Sequence, residues 1–391
     1  MDCIRSARKV MRKLLPVFII GVFVSFIAFI FFNSAQAIPA YTREFEVPCS
    51  TCHVHPPKLS ATGLLVRLRG PTAAGFELRK GRVLFSPFAA FDAKTLEEEP
   101  DTIKGTPSEV ELMFAGEFNP RLFYLAEWSV IERELEDGEI HDESGSFGHF
   151  YVRYNPNKNF QLTIGQDTVA KQLEPEHLFS ISESILFSSS LEGPPTDDED
   201  LEELRAFAVG EMSPLVRATV YKLDDESTVD GFFATLTIPF TGRFSIPLTE
   251  DAKDHAKAEF ENQPKGYYLE AYRQNGVSSF GISAFSGTNN RLLFGANVYW
   301  EMGNFYAMAG LASAKQEEEW QTLGSAELTF VPSWETALGI RVDGKTGQTA
   351  VISPYLSYRL PGFVNNTRLV LEANFSESAK PKFLFKFVLM Y

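Results

Sequence analysis

The stretch RLLFGANVYWE, Arg291 to Glu301, decides how this chain is read. Leu292, Phe294, Ala296, Val298 and Trp300 recur at a spacing of two, while Arg291, Gly295, Asn297, Tyr299 and Glu301 occupy the alternate positions together with Leu293. Successive side chains of an extended strand point to opposite faces, so this pattern specifies a two-faced strand. The alternation returns at Arg368 to Phe375, where Leu369, Leu371, Ala373 and Phe375 oppose Arg368, Val370, Glu372 and Asn374, and again at Ala337 to Asp343. The C-terminal run sets Phe383, Phe385, Phe387, Leu389 and Tyr391 against Leu384, Lys386, Val388 and Met390, so the chain ends on an aromatic residue in a strand. Further strands are predicted near 83–93, 108–118, 121–133, 147–155, 158–166, 204–213, 215–222, 231–239, 266–275, 277–287, 305–315, 321–331 and 349–360. That makes about seventeen segments, mostly of the ~10 residues a tilted strand needs to cross a bilayer.

A sheet of this size has two outlets. A soluble sandwich or propeller buries its apolar faces inward, whereas a membrane barrel turns the apolar face to lipid and the charged face to a lumen. Arg, Glu, Asn and Asp stand mid-strand opposite apolar neighbours, and polar loops such as Glu97 to Asp101, Glu132 to Glu143 and Pro194 to Glu203 separate the segments. Closure also satisfies the backbone edges that hydrocarbon leaves unpaired. No repeat of blade length is visible, which argues against a propeller. The expected fold is all-β, a transmembrane antiparallel β-barrel; even strand numbers in single-chain bacterial barrels point to sixteen strands, with eighteen as the alternative.

Composition narrows the function classes. Of 391 residues 51 are Asp or Glu and 36 Lys or Arg, a net charge of −15 that repels phosphate backbones and excludes a nucleic-acid partner. The one uninterrupted apolar run long enough to span as a helix is Leu14 to Phe32, so a polytopic helical membrane protein is also excluded. Residues 1–37 read as a signal peptide: Arg5, Arg8, Lys9, Arg12 and Lys13 precede the apolar run, and Ala35-Gln36-Ala37 is a small-residue cleavage site before Ile38. An uncleaved anchor is the competing reading, because the run is longer than a usual signal core. Removing this segment, net +4, takes the charge to −15 − 4 = −19.

Residues 38–75 differ from the barrel region, 76–391. Pro48 precedes Cys49 and Cys52, Pro56-Pro57 follow them, and a basic apolar stretch ends at Gly70-Pro71. A helix is predicted over 57–69, with Pro57 in its first position and Gly70-Pro71 as its stop.

Within this segment Cys49-Ser50-Thr51-Cys52-His53 matches the attachment pattern of a c-type haem. Two thiols stand where thioethers to the porphyrin vinyl groups form, and the adjacent imidazole takes the proximal axial position on iron. The competing readings are a Cys49–Cys52 disulfide, and a zinc site built from Cys49, Cys52, His53 and His55. The distal axial position stays open among Met113, Met212, Met302, Met308, His141, His149, His177, His255 and water. His55 follows His53 too closely to reach the opposite haem face and is expected at the surface or beside a propionate. Arg67 and Arg69 either pair with propionates or favour the dipole of their own helix end.

These residues, with Pro57, Lys58, Leu59, Gly63 and Gly70 following the motif and a barrel following the segment, resemble the fused monohaem cytochrome–porins of outer membranes, including those of iron-oxidising bacteria. The specific motif spans residues 48 to 70; Val66 departs from it, standing where the family tends to carry an aromatic residue. The resemblance implies one covalent haem c on Cys49, Cys52 and His53, held in or at the mouth of the barrel by a segment acting as a plug. It implies an outer-membrane protein that oxidises extracellular Fe(II), as an iron(II)-oxidising oxidoreductase, and passes electrons to a periplasmic cytochrome c or copper protein. Two further readings stay beside it: a passive porin or barrel scaffold with a structural haem, and the same conduit serving another donor or acceptor. The acidic loop Asp197, Asp198, Glu199, Asp200, Glu202 and Glu203 either concentrates cations at the entrance or is simply solvated.

Overall fold

The computed structural model describes residues 44–390 except 56–57, 77–82, 96–102, 137–138, 143, 170–211, 226, 241–243, 245, 247, 250–265, 288–291, 317–318, 361–366 and 377–380. Among the described residues sixteen antiparallel strands close into one barrel. In chain order they are β1 (Leu84–Thr95), β2 (Ile103–Asn119), β3 (Leu122–Glu136), β4 (Phe147–Asn157), β5 (Phe160–Thr168), β6 (Met212–Leu223), β7 (Gly231–Pro239) and β8 (Gly266–Asn275). The second half comprises β9 (Ser278–Gly287), β10 (Leu292–Met302), β11 (Phe305–Gln316), β12 (Glu319–Ser333), β13 (Thr336–Lys345), β14 (Val351–Arg359), β15 (Arg368–Asn374) and β16 (Lys382–Met390). Each strand pairs with its sequence neighbours, and β16 closes the ring on β1, from Leu384 opposite Lys94 to Met390 opposite Phe88. The short strand Glu139–Asp142 pairs only with the rim of β3 and stands outside the ring.

The predicted strands 83–93, 108–118 and 121–133 are therefore β1 to β3, extended at one end. The segment 204–213 lies outside the described residues except for Met212 and Ser213, which belong to β6. The signal peptide 1–37 and the acidic loop 197–203 also lie outside the described residues.

The period of two settles which face is which. Phe294, Trp300, Phe280, Ile282, Leu311, Leu338 and Leu371 are exposed on the outer surface, while their alternates Tyr299, Asn297, Ser283, Arg341 and Glu372 are buried inside. A charge in this interior needs a partner because little water remains to solvate it. Arg217 accordingly donates from Nη1 to Asp167 Oδ2 at 2.6 Å and from Nε to Thr237 Oγ1 at 3.0 Å. His149 Nδ1 lies 2.8 Å from the other oxygen of Asp167. Arg341 donates from Nε to Asp343 Oδ2 at 2.6 Å, and its Nη2 lies 3.8 Å from Glu372.

The two barrel ends are unequal. At one end the connections Asn119 to Leu122, Asn157 to Phe160, Asn275 to Ser278, Met302 to Phe305 and Ser333 to Thr336 are tight turns, and both β1 begins and β16 ends there. The opposite end carries the long connections 168–212 and 239–266. In outer-membrane barrels short turns face the periplasm and long loops the exterior.

Candidate functional site

Residues 44–76 form a compact unit seated in the short-turn mouth. Phe45 and Phe76 stack with ring centroids 4.8 Å apart, which brings the two ends of the segment together. Cys49–Thr51 make a single 3₁₀ turn, in which Thr51 N donates to Pro48 O at 2.9 Å and Cys52 N to Cys49 O at 3.1 Å. His53–His55 then pair antiparallel with Lys58–Leu59.

The helix α1 runs over Ala61–Arg69, beginning four residues later than the predicted 57–69. Lys58 and Leu59 are committed to the two-stranded ladder, and Ser60 caps the helix instead: its Oγ accepts from Gly63 N at 3.2 Å and donates to Thr51 O at 2.7 Å. The predicted stop holds, since Gly70 takes φ +87° and its N–H returns to Val66 O at 2.8 Å.

The ladder and the helix meet the barrel at opposite sides of the mouth. Val54 packs on the interior cluster Tyr306, Val331, Ala337 and Tyr355. His55 is fully buried: Nδ1 lies 3.0 Å from Trp334 O and Nε2 2.9 Å from Ser357 Oγ. Burial, reinforced by Arg368 and Arg359, lowers its pKa to about 4 against the opposing pull of the Trp334 carbonyl and Glu335, so the ring is neutral near pH 7. Lys58 is also buried, its Nζ 5.5 Å from the ring centroids of both Tyr299 and Tyr306. Desolvation brings its pKa down to about 8, offset in part by Glu327 and Glu301. Across the mouth, Thr72 N donates to Glu117 Oε1 at 3.2 Å, Thr72 Oγ1 bonds Glu117 Oε2, and Gln161 Nε2 donates to Leu68 O.

The motif residues stand as follows. Cys49 and Cys52 are free thiols, Cys49 buried and Cys52 half-buried, so the disulfide reading does not describe this structure. Burial, with the neighbouring Cys49, pushes the Cys52 thiol up to about 11. Among the described residues no three His, Cys, Asp or Glu side chains converge as a metal set. His55, the fourth ligand a zinc site needs, has both ring nitrogens engaged by the barrel wall. It is therefore a docking residue, and its burial corrects the surface alternative of the two expected for it. The donor set that remains beside the helix, two thiols three residues apart and one imidazole, fits covalent attachment of a c-type haem.

Of the distal-ligand alternatives, Met302 is exposed on the outer surface, and His149 is held by Asp167 near the long-loop end. Met308 faces inward one pleat above Tyr306 and opposite Tyr299, on the wall that receives Lys58. Met113 is half-buried on β2. The side chains of Met212 and His141, and all of His177 and His255, lie outside the described residues. Arg67 and Arg69 are within electrostatic reach of Tyr151 and Tyr221, on the β4 to β6 side of the lumen.

Gly63 is where the motif touches α1. A Cβ at this position falls 2.1 Å from Cys52 O, a backbone atom that yields only if the whole turn moves. Gly63→Ala is expected to loosen the segment by about 2 kcal/mol, raising protease cleavage within 44–76 roughly 30-fold while the barrel remains heat-modifiable. Cleavage at the wild-type rate contradicts the tight seating.

No family model matches this chain, and no curated protein matches it. Solved structures do. OmpF of Salmonella typhi, determined with daunomycin, is similar over 79% of this chain and 97% of its own, with 10% identity and a TM-score of 0.52. An anion-selective porin from Comamonas acidovorans is similar over 79% of this chain and 99% of its own, at 10% identity and a TM-score of 0.48. OmpT of Vibrio cholerae, an outer-membrane protein, is similar over 81% and 99%, again at 10% identity and a TM-score of 0.48. The likeness to OmpF shows the fold, a porin-like outer-membrane barrel of sixteen strands.

Proposed function

We propose that this chain is an outer-membrane electron-transfer protein in which one haem c, attached through Cys49 and Cys52 with His53 as proximal iron ligand, is enclosed at the periplasmic mouth of a porin-like barrel. Its donor is extracellular Fe(II), which loses one electron, and its acceptor is a periplasmic cytochrome c or copper protein, which gains it. The observation that carries this reading is the docking of Val54 and His55, which directly follow the Cys49–His53 motif, against the wall of the short-turn mouth of a closed barrel. When bound, the haem supplies a one-electron iron couple whose potential follows from its axial ligands and burial.

The chain's own residues do the rest. Cys49 and Cys52 fix the group by two covalent bonds, so exchange with the medium is prevented. A segment of about forty residues cannot enclose a haem by itself, because domains this short bury too little surface. Tyr299, Tyr306, Tyr355 and Val331 of the barrel wall supply the missing enclosure by holding Val54 and Lys58. His55, clamped by Trp334 and Ser357, fixes the strand that begins at His53.

A second reading, a barrel scaffold in which the haem is structural, draws on one observation. The motif occupies one mouth only, and strands of about ten residues separate it from the long loops where an external donor arrives. One experiment separates the two. In liposomes that enclose an oxidised cytochrome, external Fe(II) is expected to reduce the interior carrier when the wild-type protein is inserted and to do so at least tenfold more slowly with His53→Ala. Equal rates for the two proteins mean that iron leaks through the lumen, and the scaffold reading stands.

A further inference from the structure

The connection between β14 and β15 is flanked by a pair of arginines that the motif itself does not account for. Arg359, the last residue of β14, and Arg368, the first of β15, are directly opposed across the ladder. Both have the inward parity of Ser357 and of Val370, which are fully buried in the lumen. Like charges facing each other on neighbouring strands repel, and a carboxylate placed beside the two lowers that cost. The Arg359 guanidinium lies 5.0 Å from the Trp334 ring centroid, and its backbone N–H donates to Glu335 O at 2.7 Å. Trp334 is the residue whose carbonyl meets His55 Nδ1, and its ring stands edge-on to the imidazole at 6.4 Å. Arg359 is within electrostatic reach of the Cys49 thiol, and Arg359 and Arg368 both act on His55. Glu335 supplies one carboxylate at this wall.

We infer that Arg359 and Arg368, backed by the Trp334 ring, form the carboxylate-binding wall of the site and receive the two propionates of the covalently held haem. The inference rests on the haem reading above and names partners on the barrel, not on the plug. Arg67 and Arg69, for which the sequence leaves propionate pairing as one of two alternatives, lie within electrostatic reach of Tyr151 and Tyr221. A guanidinium suits the task because its planar fork matches a carboxylate and stays charged at every working pH. The Trp334 ring holds the Arg359 guanidinium by a cation–π contact, which limits the rotamers it must give up on binding.

The test measures the midpoint potential of the purified, haem-bearing protein by spectroelectrochemistry between pH 5 and 8. Two cations beside the propionates favour the reduced iron and hold the propionates ionised, so wild type is expected to show a potential nearly independent of pH. Arg359→Gln with Arg368→Gln is expected to lower the equilibrium constant for reduction roughly tenfold at pH 7, a change of about 1.4 kcal/mol. It also brings a propionate titration into the measured range, and Arg359→Lys with Arg368→Lys recovers most of both effects. Arg273→Gln, which removes an exposed arginine paired with Asp224 at another turn of the same end, is expected to change neither. If the double Gln variant fails to assemble, Arg359→Gln alone carries the test with the same sign. Covalent haem in all proteins with an unaltered potential and pH profile in the Gln variants overturns the inference and leaves the haem reading intact. A shift of the same size in Arg273→Gln also overturns it, since net charge would then suffice. Absence of covalent haem from wild type defeats the earlier reading instead.

Discussion

Replacing Cys49 and Cys52 together with alanine is expected to abolish covalent haem, so that the denatured polypeptide no longer stains for haem after electrophoresis. In the proposed attachment each thiol adds its S–H across one porphyrin vinyl group, forming a C–S bond and a C–H bond with no net change of oxidation state. With both sulfurs gone nothing remains that survives denaturation. Each single variant is expected to keep one thioether and a weaker stain. The barrel itself is expected to be unaffected, because Val54, His55, Lys58, Leu68 and Thr72 make the contacts that seat the segment and remain in the variant. Heat-modifiable migration of the double variant is the control for this. Stain retained in the double variant removes the basis of the proposed function, and a mobility change on reduction of the wild type would point back to a disulfide.

Deleting Phe383 to Tyr391 is expected to have an effect of equal size on the other part of the molecule, eliminating the heat-modifiable form altogether. Strand β16 matches seven residues of β15, from Arg368 opposite Val388 to Asn374 opposite Lys382. It matches seven of β1, from Lys94 opposite Leu384 to Phe88 opposite Met390. Without it both neighbours present open ladders at membrane depth, where each unsatisfied backbone group costs several kcal/mol and no water is available to compensate. Few proteins have more than about 15 kcal/mol of stability to lose. Assembly of the truncated chain into a heat-modifiable, membrane-inserted form would show that the ring does not depend on this strand and would sink the barrel reading.

Some of this structure is legible one residue at a time. The period of two at Arg291 to Glu301, Ala337 to Asp343 and Arg368 to Phe375 identifies both the strands and the face that lipid receives, because side-chain alternation is a property of a single extended strand. The Cys49–His53 motif is equally local, being five consecutive residues whose chemistry needs no knowledge of the fold. Gly70 ends α1 as expected for the same reason. The start of α1 is less local: Pro57 is a valid helix opener, yet Lys58 and Leu59 pair with His53–His55, and Ser60 takes the cap.

What surrounds the motif is of another kind. His55 is separated from Ser357 by 302 positions, and Gln161 meets Leu68 across 93. Nothing in the spacing of His55 distinguishes a surface imidazole from one locked between Trp334 and Ser357, and nothing in Arg67 or Arg359 tells which arginine lies over the Trp334 ring. The amino-acid sequence by itself determined that the chain is a β-barrel of porin type preceded by a Cys49-x-x-Cys52-His53 motif, since periodicity and short motifs are carried by neighbours along the chain. Only the tertiary structure decided that the motif sits in the short-turn mouth and which wall it faces. Those facts follow from ring closure, which brings β10 to β14 around Val54, His55 and Lys58 and β2 and β5 to the far end of α1, and closure is a property of all sixteen strands at once.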